Sequence, residues 1–268
     1  GSLAFAQRIE QRYLETGGKI HYKTPVLKVV TDDKSVTNIV VRNNVSYTSD
    51  YVISAGDWHH TIFDLLSGKF ATQLQLDLKN LKKLQPFFSS IQASFGVNKD
   101  LTGLSHFTRF PLDENLVSPD GTVYERFEIH NYSYDPTMAP PGKTCIVINF
   151  YTSKADYWIG HRRKNRADYR ALKAEFLNKC AAIVTTKLGL EPGDIEVMDL
   201  STPATFHRYT GNWKGSTQGW LAGKNHLLSN FVFPVWTICF FAVTGINQAA
   251  DCRSLSRQEG IWRCYCVK

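Results

Sequence analysis

A switch from helical to strand periodicity between Leu3 and Gly56 constrains the fold of this chain more than any other feature. Apolar residues recur at three- and four-residue spacing over 3–15 (Leu3, Phe5, Ala6, Ile9, Tyr13, Leu14), and the run stops at Gly17-Gly18. That pattern predicts an amphipathic helix closed by a glycine cap. Short β-type runs follow at 19–22, 26–31, 36–42 and 45–47, with polar turns at Asp32-Asp33-Lys34 and Asn43-Asn44. Residues 51–55 predict a buried strand that ends at Gly56.

Beyond Gly56 the alternation continues on a larger scale. Residues 57–83 read as a partly polar helix, and 87–97, 106–110, 124–130 and 144–151 as strands, the last two separated by the proline-rich loop 134–142. Residues 156–188 predict one long amphipathic helix with Tyr169, Leu172, Phe176, Cys180 and Ile183 on its apolar side. A strand at 196–200 then leads to Ser201-Thr202-Pro203. The expected architecture is α/β, with α+β mixing, in two domains: sheets flanked by long helices.

Composition narrows the class further. At 268 residues with 43% hydrophobic and 21% charged side chains, the chain can bury one large core or two modest ones, and nothing points to disorder, collagen or a coiled coil. The net charge of +7 is spread out, its densest point being His161-Arg162-Arg163-Lys164-Asn165-Arg166. That cluster reads as a solvated helix face or as a contact for anionic lipid head groups. Nucleic acid is not expected as a partner, because no aromatic residues interleave with the charge. Of the six cysteines, Cys239, Cys252, Cys264 and Cys266 fall near the end, without Cys-x-x-Cys spacing, and no metal site is expected. The expected state is a reduced cytoplasmic protein, with transient contact to a membrane surface. The opening residues run directly into a helix without an initiator Met, so the chain reads as cut at its start.

Two stretches carry a resemblance. The first runs from Gly17-Gly18-Lys19-Ile20-His21-Tyr22 through Thr24-Pro25-Val26 to Tyr51-Val52-Ile53-Ser54-Ala55-Gly56-Asp57. The second is Thr202-Pro203-Ala204-Thr205-Phe206-His207-Arg208-Tyr209-Thr210-Gly211-Asn212, continuing to Trp220. Together they resemble FAD-dependent oxidoreductases of the phytoene desaturase, carotenoid isomerase and retinol saturase kind, within the flavin amine oxidase superfamily. The resemblance implies a partial FAD/NAD(P)-binding, Rossmann-like domain at 1–60. It implies a substrate domain with a mixed or antiparallel sheet at 61–200, and a return to the first domain at 201–230. It also implies FAD as the cofactor of the intact parent, not retained by this piece, and an apolar lipid substrate. Val26 is implied to lend its backbone to the adenine edge, and Ser54, Ala55 and Gly56 to let the backbone approach the cofactor. The open alternatives are a core-strand valine and a tight strand-to-helix turn. Arg208 and Tyr209 are the polar candidates beside the flavin, the first to stabilise negative charge and the second to line an apolar tunnel. His207 is read as facing elsewhere. His59 and His60 are read as structural, since adjacent helical residues point about 100 degrees apart and make a poor metal pair.

The chain departs from that family in two places. The opening Gly-x-Gly-x-x-Gly fingerprint is absent. After Trp220 the family's glycine-rich run, which opens a helix against the cofactor, is replaced by Phe231-Val232-Phe233-Pro234-Val235-Trp236 and a Cys-Tyr-Cys ending. Reading each codon from the third base of the one written, Ala242 to Arg253 permit Gly-x-Trp-x-x-Pro-Gly-Gly-Gly-Leu-Pro. The expectation is that the tail at 231–268 is out of frame from a point between Leu221 and Phe233, the alternative being a divergent tail with a buried apolar strand.

The expected activity is oxidoreduction at carbon–carbon bonds of a polyene or related isoprenoid lipid. Desaturation, saturation and isomerisation remain equally open, and the piece alone is expected to be inactive. The alternatives are an amine oxidase acting on a small polar amine, and a non-catalytic lipid-binding or interaction remnant.

Overall fold

The computed structural model describes residues 2–32, 35–49, 51–71, 73, 76, 85–217, 220–221 and 241–243. The chain forms two compact units, Gly1–Lys83 with His226–Lys268, and Leu84–Asn225.

In the first unit, helix α1 (Ser2–Glu15) ends as its sequence dictates. The Gly18 N–H bonds the Tyr13 carbonyl and the Gly17 N–H bonds that of Leu14, the paired bonds of a Schellman cap. Gly17 has φ +86°, and a Cβ on Gly18 would lie 2.3 Å from the Tyr13 ring, so neither position takes a side chain freely. Residues 19–22 do not form the expected strand. Lys23 turns the chain with φ +56°, and the Tyr22 hydroxyl donates to Glu10 of α1 instead.

Strands β1 (Val26–Thr31), β2 (Val36–Val41) and β3 (Ser46–Thr48) make an antiparallel sheet in the order β1-β2-β3. A small core of Val29, Val36, Leu65 and Leu66 gathers Val26, Ile39, Val52 and Phe70 around it. Strand β4 (Val52–Ser54) pairs with a three-residue strand at Phe241–Val243 and is only half-buried, not the fully buried strand expected at 51–55. After it, His60–Leu65 form a π-helical turn, shorter than the helix expected at 57–83; part of that range lies outside the described residues. The tail expected to be out of frame also lies outside them, Phe241–Val243 excepted.

The second unit is built on a five-stranded antiparallel sheet. Its strands are β6 (Ser89–Val97), β7 (Phe107–Val117), β8 (Val123–Asn131), β9 (Thr144–Thr152) and β10 (Ile195–Ser201), in the order β10-β6-β9-β8-β7. Two short strands, β5 (Gln85–Pro86) and β11 (Trp220–Leu221), pair with each other, and the Phe241–Val243 strand is β12. Every strand pair among the described residues is antiparallel, so the fold is mixed α/β of the α+β kind.

Alternation explains how the sheet is covered. Ile91, Ala93, Phe95 and Val97 of β6, Ile146, Ile148 and Phe150 of β9, and Phe127 and Ile129 of β8 share a core with Trp158, Tyr169, Phe176, Cys180 and Val184. Those last five lie on helices α2 (Ala155–Lys164) and α3 (Arg166–Leu188). The single helix expected at 156–188 is therefore two. Asn165 is extended (φ −148°, ψ 105°), and its side chain accepts from the Ala167 and Asp168 N–H groups, capping α3. Helix α4 (Pro203–Thr210) follows β10 and opens with a Thr202/Thr205 capping box. It packs on this unit's core through Ala204, and the buried Thr202 hydroxyl meets the Tyr169 hydroxyl at 2.7 Å. These contacts place α4 in the second unit, whereas 201–230 was expected to return to the first.

The outer strand β7 slips register between Pro111 and Leu116 against β8. The loop joining β7 to β8 is pinned by the buried Asp120 carboxylate. Its Oδ1 accepts from the Ser118 hydroxyl (2.6 Å) and the Thr122 N–H (2.9 Å). Its Oδ2 accepts from the Thr152 hydroxyl (2.8 Å) and the Trp158 indole N–H (2.7 Å).

Candidate functional site

The candidate residues fall into two groups on separate units, each with its own geometry. In the first unit, Val26 opens β1, which pairs only with β2, so its other flank is a sheet edge among the described residues. The Val26 side chain packs on the small core that Val52 of β4 also touches, so β1 and β4 are anchored in one cluster. Anchoring the side chain inward leaves the backbone of an edge strand for an outside partner, the arrangement an adenine edge needs.

At the end of β4, Ala55 and Gly56 are exposed. Among the described residues a Cβ on Gly56 would meet the Ser54 hydroxyl alone, at 3.8 Å, so neither their packing nor a left-handed backbone demands glycine there. Among the described residues the backbone at Gly56 is left clear, which suits a group that approaches the main chain closely, as a nucleotide would. Ser54 differs: its hydroxyl is 2.7 Å from that of buried Thr61, which donates to the Asp57 carbonyl. Ser54 thus ties the strand to the π-helical turn, and its side chain serves the fold. Asp57 accepts the His60 N–H at 3.0 Å, and the His60 ring lies 2.7 Å from Asp64. His59 sits against Phe63, with ring centroids 4.9 Å apart. The two histidines therefore point to different partners.

In the second unit, Arg208 and Tyr209 lie on the last turn of α4, both exposed. The Arg208 guanidinium sits over the Tyr209 ring, 4.9 Å from its centroid. No carboxylate pairs with Arg208 among the described residues. His207 faces elsewhere, its Nδ1 3.0 Å from the Asn212 carbonyl. The loop after α4 is tightly built. Gly211 and Gly215 have φ +73° and +63°, and a Cβ on Gly215 would lie 2.4 Å from the Pro203 carbonyl. Lys214, itself at φ +55°, pairs with Asp156 at 2.6 Å.

One feature carried no signal in the sequence. Strands β8 and β9 pair only through His130↔Val147 and Asn131↔Ile146 and then part. The gap is a groove open to solvent, of about 410 Å³, lined by Tyr124, Glu125, Arg126, Glu128, Asn149 and Tyr151, among others. Tyr124 spans it, donating to the Tyr151 carbonyl at 3.2 Å. Burial and then the nearby Asp120 charge push the Tyr124 hydroxyl above its ordinary pKa, so it stays protonated. Strand divergence depends on the twist of the whole sheet, which no local pattern reports.

No family model matches the chain. Over 242 residues it is 25% identical to 4,4'-diaponeurosporene oxygenase of Staphylococcus haemolyticus, which covers 85% of this chain and 45% of that protein. Over 220 residues it is 24% identical to the chloroplastic prolycopene isomerases 1 and 2 of an Oncidium hybrid cultivar, covering 79% of this chain and 35% of each. The chain is therefore similar to proteins named as a carotenoid oxygenase and carotenoid isomerases. It spans less than half the length of these carotenoid-type relatives. Among solved structures, an oxidoreductase from Methanosarcina mazei is similar over 72% of this chain and 40% of that one, with 18% identity and a TM-score of 0.44. No helix among the described residues is long and apolar enough to cross a membrane, and none of their His, Cys, Asp and Glu side chains cluster in threes.

Proposed function

We propose that this chain contributes part of the nucleotide-binding unit and the substrate unit of an FAD-dependent oxidoreductase acting on carbon–carbon bonds of an apolar polyene or isoprenoid lipid. The observation that carries the reading is the match to carotenoid-modifying proteins across 85% and 79% of the chain, which runs through both units. When bound, FAD supplies hydride exchange at the flavin ring. The chain's own residues would bind and orient. The Val26 backbone, on the edge of β1, would meet the adenine, and Ala55 and Gly56 would let the nucleotide lie against the main chain. Arg208, with no carboxylate partner among the described residues, would offer its charge to a reduced flavin, and Tyr209 would present a ring to an apolar chain.

The protein made from the gene together with its flanking coding sequence is expected to purify with flavin colour and to change the absorption spectrum of an added linear polyene. The 268-residue chain alone is expected to retain no flavin. A colourless longer protein that leaves the polyene spectrum unchanged refutes the reading, and oxidation of a small amine in its place would favour the amine oxidase alternative.

A further inference from the structure

We propose that the corner between α2 and α3 is a docking surface for the anionic face of a lipid bilayer. Five cations meet there: Arg162, Arg163 and Lys164 in the last turn of α2, and Arg166 and Arg170 in the first turns of α3. All but Arg162 are exposed, and none has a carboxylate within ion-pair distance among the described residues. Two acids lie nearby: Asp168, on the first turn of α3, stands 3.9 Å from His161 and ion-pairs with none of the five cations, and Asp156 pairs with Lys214.

Folding alone accounts for only part of this. Basic residues at the end of α2 complement its dipole. Arg166 and Arg170 do the reverse: they stand at the positive end of a 23-residue helix and lie four residues apart, where like charges repel. An arrangement that works against local stability, with five cations facing one acid, Asp168, and none of the five ion-paired among the described residues, suits an external polyanion.

The kind of polyanion follows from what surrounds the charges. The neighbouring aromatic rings are taken up by the protein: Trp158 and Tyr169 are buried, and Tyr157 stacks on His161 at 4.2 Å. Among the described residues no ring of this corner is presented for base stacking, on which binding of single-stranded nucleic acid depends. Exposed point charges without stacking platforms fit a diffuse sheet of head-group phosphates, each basic residue strengthening such attraction about fivefold. The choice of a bilayer over other polyanions rests on the polyene reading above, whose substrate partitions into membranes.

Sedimentation with vesicles tests the surface without any catalytic readout. The intact chain is expected to co-sediment with vesicles of phosphatidylserine and phosphatidylcholine but not with phosphatidylcholine alone, and added salt should release it. Replacing Arg163, Lys164, Arg166 and Arg170 by Gln should weaken binding by about two to three orders of magnitude, while a variant with Lys at all four positions should retain it. Unchanged circular dichroism in both variants ties the loss to charge. Equal binding to neutral vesicles, undiminished binding of the Gln variant, or tighter binding to a single-stranded oligonucleotide than to anionic vesicles overturns the proposal. Vesicle binding by a protein that leaves polyenes untouched would sink the polyene reading and keep this surface. Polyene turnover without vesicle binding would do the opposite.

Discussion

Replacing Asp120 by Asn isolates the contribution of a single buried charge, because the two side chains have nearly the same shape. Each carboxylate oxygen accepts two hydrogen bonds, and on each oxygen one donor cannot reverse its role: the Thr122 N–H on Oδ1 and the Trp158 Nε1–H on Oδ2. The Ser118 and Thr152 hydroxyls can rotate. An amide in one orientation points its NH₂ at Trp158; flipped, it points at Thr122. Either way one buried N–H faces another donor, which costs about 1–3 kcal/mol, and the remaining bonds lose their charge assistance. Relief of the buried charge offsets part of this, so the expected loss of stability is about 2–4 kcal/mol. With a urea slope of about 1–3 kcal/mol/M, the unfolding midpoint should fall by roughly 0.7–4 M at neutral pH, about 1.5 M at the middle of both ranges.

The same residue predicts a pH dependence. Burial alone would raise the Asp120 pKa, but the bonds from Ser118, Thr122 and Trp158 outweigh it and hold the carboxyl below its ordinary value. A depressed folded-state pKa gives stability that is complete above the unfolded value, about 3.9, and is lost as pH falls through the folded one. That part of the acid loss should be missing from Asp120→Asn. A midpoint shift equivalent to less than about 1 kcal/mol, or an unchanged acid limb, would refute the reasoning.

Asn165→Ala should lower stability by about 1 kcal/mol by uncapping α3, read by chemical denaturation, while Asn165→Asp should leave it nearly unchanged. Gly215→Ala forces a left-handed backbone on alanine and drives its Cβ into the Pro203 carbonyl, so a loss of about 2–4 kcal/mol is expected from thermal unfolding. Burial pushes the Cys180 thiol up to about 12, so iodoacetamide at mildly alkaline pH should label it only after unfolding, as mass spectrometry of the digested chain can check. Under the proposed function, Arg208→Ala should reduce polyene turnover with little change in melting temperature, since among the described residues its exposed side chain packs on Tyr209.

Features governed by short-range chemistry were legible in the sequence. The Gly17-Gly18 pair announces a helix end because two glycine-demanding positions fall together there. The alternation of Ser89–Val97 marks which side of β6 is buried. The break at Asn165 was hidden because core residues lie on both sides of it, Trp158 before and Tyr169 after, and only the Asn165–Asp168 cap spacing betrays it. The placement of α4 was not legible either. Its capping box is local, but its partner Tyr169 lies 33 residues away from Thr202, and burial of that hydroxyl pair fixes the helix. At the candidate site the small residues Ala55 and Gly56 stood out from their types alone. The inward turn of the Ser54 hydroxyl toward Thr61, and the outward stacking of Arg208 on Tyr209, depend on side-chain directions that sequence order does not encode.

The register slip in β7 bears on how this molecule behaves among its own copies. A border strand as long as Phe107–Val117, with one flank unladdered among the described residues, could recruit a strand from another molecule. Pro111 has no N–H to offer, the slip up to Leu116 breaks the spacing that an incoming strand would need, and Asp113 and Glu114 add exposed carboxylates at the break. The interruption works as a guard against edge-to-edge self-assembly.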